Sequence, residues 1–140
     1  MRRVWRMIES VNERVARRGS VLLYLAFLDL IYGYSLFTPT EYSLITPSYR
    51  FLCRILPLWT WGLLWTGVGL VLMFYAFRKR DSVGFAFAMF LKVLWGSLFA
   101  GGWVLAGVDR GYLSAAIWLA FAALVWRISG WPDEGKEVRQ

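Results

Sequence analysis

A chain of 140 residues is one domain's worth, yet 59% of it is hydrophobic, 19% aromatic and only 18% charged, with a formal net charge of +7. Soluble domains run about 45–50% apolar and about 25% charged, so this chain carries more apolar surface than a core of its size hides, and a bilayer is the place for the excess. There is no His, and a single Cys, Cys53, excludes an internal disulfide, a CxxC redox pair and a thiolate metal cage.

In chain order, the first segment, 1–18, sets Val4, Met7, Ile8, Val11 and Val15 at helical spacing on one side, with Arg2, Arg6, Glu9, Glu13 and Arg17 elsewhere. This is the pattern of an amphipathic helix lying on the inner leaflet, Trp5 at headgroup level, with Arg2, Arg3, Arg6, Arg14, Arg17 and Arg18 forming a lipid-facing basic flank for anionic headgroups. The same arginines also serve as a topology signal alone, and both readings stand at this point.

Four apolar runs then follow, each near the roughly 20 residues needed to cross about 30 Å of hydrocarbon: 20–38, 57–77, 82–107 and 111–129. They are apolar all round, without the polar stripe of a soluble amphipathic helix. The first is not read as a cleaved signal peptide, because Asp29 sits at its middle and no small-residue cleavage site follows. The expected fold is therefore all-α: an integral membrane four-helix bundle, 19–130, with an N-terminal interfacial helix and a polar tail, 131–140.

Between the first two spans, 39–56 is the sizeable external segment. Thr46 and Pro47 predict the start of a short helix in which Arg50 and Arg54 share one face and Phe51, Leu52 and Ile55 another. Cys53 lies there as a lone thiol, expected to pack against lipid or protein. Asp109 and Arg110 predict a tight turn that makes the third and fourth spans a hairpin. Lys and Arg fall unevenly: twelve precede the first span, link the second to the third or follow the fourth, three (Arg50, Arg54 and Arg110) lie on the other side, and Lys92 is inside a span. The positive-inside bias then puts both termini in the cytoplasm, in a bacterial inner membrane.

Asp29 and Lys92 depart from this lipid logic, since an ionisable group at mid-bilayer costs about 2.5–3.5 kcal/mol even on the lenient insertion scale. They lie nine and ten residues into spans that run in the same direction, at depths of about 13–15 Å, so the expectation is that they pair or share one network. Tyr32, one turn above Asp29, is expected to donate to the carboxylate; Trp95, one turn above Lys92, to offer its indole N–H or its ring face. Ala26, Gly33, Ala88 and Gly96 flank the two charges and predict close approach of their helices, and Ala116 and Ala120 repeat the small-residue spacing in the fourth span. The pair either fixes helix register or serves a proton or ion pathway.

The strings RRGSVLLYLAFLDLIYGYSL, LPLWTWGLLWTGVGL, FRKRDSVGFAFAMFLKVLWGSLFAGGW and AAIWLAFAALVWRISGWPDE resemble a set of small four-span membrane proteins of actinobacterial phages over most of the chain, from Arg17 to Glu134. That resemblance implies a membrane protein, sometimes described as a holin, and implies no catalytic residues, cofactor or metal. The expected function is holin-like membrane permeabilisation or a lysis-associated role. The alternatives are an accessory or superinfection-exclusion protein acting by contact, and a small dimeric transporter using Asp29 and Lys92. Expected partners are anionic lipid and a second copy or another membrane protein. An enzyme ranks last, for want of a His, a metal cluster, paired carboxylates in one span and a nucleotide loop, and nucleic acid is not an expected partner because the +7 charge falls in membrane-flanking segments.

Overall fold

The computed structural model describes residues 17–78 and 80–131, and among these the regular structure is all helix. Six helices follow one another: α1 Arg17–Phe37, α2 Glu41–Ile45, α3 Pro47–Ile55, α4 Leu58–Ala76, α5 Ser82–Ala106 and α6 Gly111–Ser129. Helices α1, α4, α5 and α6 are each long and apolar enough to cross a membrane. The expected interfacial helix over 1–16 and the tail beyond Trp131 lie outside the described residues. Arg17 and Arg18, assigned to that interfacial helix by the sequence reading, instead begin α1.

The connections have local causes. Pro57 lacks an N–H and stands as the N-cap of α4, where no helical partner for one exists. At the same end of the bundle α5 stops at Gly107, whose φ of 62° is the left-handed conformation that glycine adopts without steric cost, and the Val108 N–H then reaches back to the Gly102 carbonyl. Arg110, with φ 60°, completes the turn into α6. Between α1 and α4 the chain makes two short helices rather than one. Thr40 caps α2 by accepting from the Ser43 N–H, and Pro47 opens α3. Thr46 is the N-cap of α3 by position only, because its hydroxyl donates to the Tyr42 carbonyl of the preceding turn. Leu52 is the buried residue of α3, Phe51 is half-buried, and Ile55 and Cys53 are exposed. The Trp61 indole fixes this cap to the bundle by donating to the carbonyls of Leu52 and Leu56 at 3.3 and 3.2 Å.

Two antiparallel hairpins make the bundle, α1 along α4 and α5 along α6, joined through α4 and α5, while α1 and α5 approach only lightly. Small residues set the first two seams. A Cβ at Gly33 would lie 2.6 Å from the Thr66 hydroxyl and 3.1 Å from the Gly62 carbonyl. One at Gly96 would lie 2.8 Å from Leu119. The expectation that these glycines bring α1 onto α5 is thus corrected: they draw α1 onto α4 and α5 onto α6. Close backbone approach is needed where helices run side by side, and α1 and α5 face each other across the bundle, touching where Leu22 meets Gly84 and where Lys92 reaches Asp29.

The hairpins also repeat. Phe27 to Gly33 reads FLDLIYG and Phe90 to Gly96 reads FLKVLWG. Asp29 and Lys92 are 63 residues apart, and so are Tyr32 and Trp95. Gly33 meets Thr66, the residue after Trp65, and Gly96 meets Leu119, the residue after Trp118, so equivalent positions make equivalent contacts. The Tyr32–Trp118 and Trp65–Trp95 ring contacts, at 5.5 and 5.3 Å, are likewise exchanged by the repeat. Parallel repeats of this kind are related by an axis along the bundle.

Candidate functional site: a closed ion pair at the repeat axis

The Lys92 ammonium donates to Asp29 Oδ1, and both residues are fully buried. Helix register brings them together: α1 and α5 run the same way, and each charge sits at the same point of its repeat. Taking two ions out of water costs several kcal/mol each, a cost that their mutual attraction offsets only in good geometry.

Aromatic rings supply the rest of the surroundings. The ammonium lies 4.7 Å from the Trp65 ring centroid and 5.8 Å from that of Phe121, close enough for the negative ring faces to stabilise the cation. Tyr32 meets Trp65 at a tilt with ring centroids 4.3 Å apart, and Trp65 meets Trp95 and Trp118 edge to face at 5.3 and 5.2 Å. The expected roles of Tyr32 and Trp95 change in detail. Tyr32 is not bonded to the carboxylate; its hydroxyl accepts the Trp95 indole N–H at 3.2 Å. The ring faces over Lys92 belong to Trp65 and Phe121 rather than to Trp95. Asp29 Oδ2 and the Trp65 indole nitrogen, both buried, have no hydrogen-bond partner. Trp65, Trp118 and Phe121 were missed by the sequence reading because it sought partners one turn from each charge on the same helix. The repeat of FLDLIYG in FLKVLWG is the signal that pointed across the bundle.

The basic flank is corrected at one position. Arg18 does not face lipid: its Nε pairs with Asp81 at 2.9 Å, its Nη1 donates to the Trp131 carbonyl at 3.1 Å, and its guanidinium lies 5.2 Å from the Phe85 ring. Asp81 precedes α5 and Trp131 follows α6, so one side chain ties the start of α1 to the next hairpin's two ends. The physical reason is that three chain segments end at one level, where a long cation satisfies both a carboxylate and a terminal carbonyl. Arg2, Arg3, Arg6 and Arg14 lie outside the described residues, as does the side chain of Arg17.

Outside the spans, partial burial raises the Tyr49 phenol above its ordinary value and keeps it neutral. Among the described residues no group of three His, Cys, Asp or Glu side chains is placed to hold a metal ion. Comparison with protein-family models, with curated proteins and with solved structures finds no match.

Proposed function

We propose that this chain is a small integral protein of a bacterial cytoplasmic membrane, with both termini in the cytoplasm, that acts as an accessory element through contact with another membrane protein. The observation that carries this reading is the closed centre. The charges deep in the spans, Asp29 and Lys92, neutralise each other at zero exposure behind Trp65, Trp118 and Phe121, and away from the ends of the spans the large exposed side chains are aliphatic or aromatic. A conducting path needs polar side chains in sequence along a helix face, and a carrier site needs an opening; a neutralised, ring-walled pair offers neither. Its contribution is to fix which helix faces which, leaving the outer surface to do the work.

A holin-like second reading draws on α6. That helix has 22% of its most apolar stretch buried, against 44% for α5, and presents Ala116, Ala120 and Ala123 outward at small-residue spacing suited to lateral assembly. Together with the basic flank and the resemblance to phage membrane proteins, this fits a protein that accumulates in the membrane and opens it.

Induction in a bacterial host separates the two. Culture density, membrane potential and delivery of DNA by an incoming phage are followed together, with membranes tested for a co-purifying protein. Steady growth and potential, with either blocked DNA delivery or a stoichiometric membrane partner, supports the accessory reading. Abrupt collapse of potential at a fixed time after induction overturns it in favour of the holin.

A further inference from the structure

The seams of the bundle are not equal. Small residues close α1 on α4 through Gly33 and Gly69, α5 on α6 through Gly96 and Gly111, and α4 on α5 through Gly84, where a Cβ would lie 3.0 Å from Tyr75. The remaining seam, α1 against α6, is lined by larger side chains over 21–25 and 121–125. The repeat makes the reason visible: Val21 and Leu25 in α1 stand where α5 has Gly84 and Ala88, 63 residues on. Their bulk leaves a cleft of about 340 Å³ lined by Val21, Tyr24 and Leu25 on one side and Phe121, Leu124 and Val125 on the other, with Ser20 and Ile128 at its outer end. Phe121 forms its inner wall and also lies over the Lys92 ammonium.

We propose that this cleft is a binding site for one acyl chain of an anionic phospholipid. Both walls belong to helices long and apolar enough to span, so the cleft opens sideways into hydrocarbon, and its lining is apolar apart from the Ser20 and Tyr24 hydroxyls. An empty apolar cleft of this size forfeits dispersion contacts along its whole lining, and an acyl chain restores them. Charge selects the headgroup. The cleft's outer end is the end where α1 begins and α6 finishes, and exposed Arg127 lies there in the last turn of α6, beside Ile128. Arg78 and Arg80 add to the positive charge at this end, and a phosphodiester is the complement of such a rim.

The proposal rests on the membrane reading, and the test keeps the two apart. Full-length protein is first shown to resist alkaline carbonate extraction; release would sink the membrane reading itself. Native mass spectrometry from mild detergent then follows titrations with phosphatidylglycerol and with phosphatidylcholine. One phosphatidylglycerol per chain is expected, held about tenfold more tightly than phosphatidylcholine. Leu124→Trp, which fills the cleft from an exposed position, is expected to weaken retention of both lipids at least tenfold, and Arg127→Gln to level the preference while leaving a lipid bound. Ser20→Phe at the outer end replaces Leu124→Trp if that variant does not fold. Equal retention of the two lipids by the wild type overturns the proposal, as does unchanged retention in the filled variant. A wild-type dimer that the filled variant loses while keeping its lipid also overturns the proposal and assigns the cleft to a second copy.

Discussion

The same two helices carry two ion pairs of opposite polarity, and the contrast separates their roles. Arg18 on α1 meets Asp81 just before α5; three turns further along each helix, Asp29 on α1 meets Lys92 on α5. The first pair retains some exposure, with side chains at 12% and 11%, and Arg18 has a backbone carbonyl and an aromatic ring as further partners. The second is sealed, and its ions have each other and the ring faces. A pair at the end of a bundle is screened by salt and water and contributes as a latch. A pair at the centre contributes little net stability against an apolar alternative, yet losing half of it leaves an uncompensated buried charge. The end pair joins ends; the central pair dictates which faces meet.

The largest expected effects break the central pair. Asp29→Asn or Lys92→Met alone should each destabilise the bundle by about 3–5 kcal/mol, read as the shift in a denaturant titration followed by tryptophan near-UV circular dichroism. The double variant Asp29→Asn with Lys92→Met should recover much of that loss. If it is no more stable than either single, the two charges do not act as a pair. A sharper version exchanges them. Because the positions are equivalent in the repeat, Asp29→Lys combined with Lys92→Asp should be more stable than either single substitution. Exchange of Arg18 and Asp81 should not recover in this way, since the Trp131 carbonyl and the Phe85 ring would lose their cation.

Next in size is a test of what places the central pair. Gly33→Ala sets a Cβ against the Thr66 hydroxyl and backbone N, where something has to move, and should cost about 1–3 kcal/mol by overpacking the α1–α4 seam. Since Asp29 is one turn away on the same helix, weakened coupling between Asp29 and Lys92 in a double-mutant cycle on the Gly33→Ala background is the expected signature. The end pair is weaker. Arg18→Gln should cost about 1–2 kcal/mol, and the difference from wild type should shrink in high salt, whereas the cost of Lys92→Met should not. Equal salt dependence at the two sites would contradict the assignment of one as sealed and the other as screened.

Much of this architecture is legible in the chain because bilayer thickness leaves few choices: a run of about 20 apolar residues bounded by Pro57 and RKRD, or ended by a glycine turn, has one stable outcome. The level of Asp29 and Lys92 follows from counting residues into each span. What counting does not give is direction around the helix. Gly33 and Gly96 were read as lining the approach of the charged helices, yet each closes its own hairpin, because an all-round apolar span carries no polar face to mark which side turns inward. Arg18 illustrates the same limit at the chain's edge. In sequence it is one arginine among six; its role comes from Asp81 and Trp131, distant residues that folding brings to one level. Of the two short helices between α1 and α4, the start of α3 at Pro47 is legible in the sequence, whereas α2, five residues capped by Thr40, is too short to show a periodic pattern.

The smallest expected effect tests that direction from the other side. Gly67 lies one helical turn from Leu63 and Leu70 on the outward face of α4, and a Cβ there would meet nothing within 4 Å. Gly67→Ala removes the entropic cost of glycine in a helix without touching a neighbour, so it should stabilise the protein by about 0.5–1 kcal/mol in the same titration that shows Gly33→Ala to be destabilising. The two substitutions are chemically identical and sit on facing, antiparallel helices, so their opposite signs report only which side of each helix is packed. A loss of stability at Gly67 would mean that a second copy or another protein is seated on that face of α4. That result would locate a contact surface of the sort that the accessory role proposed above requires.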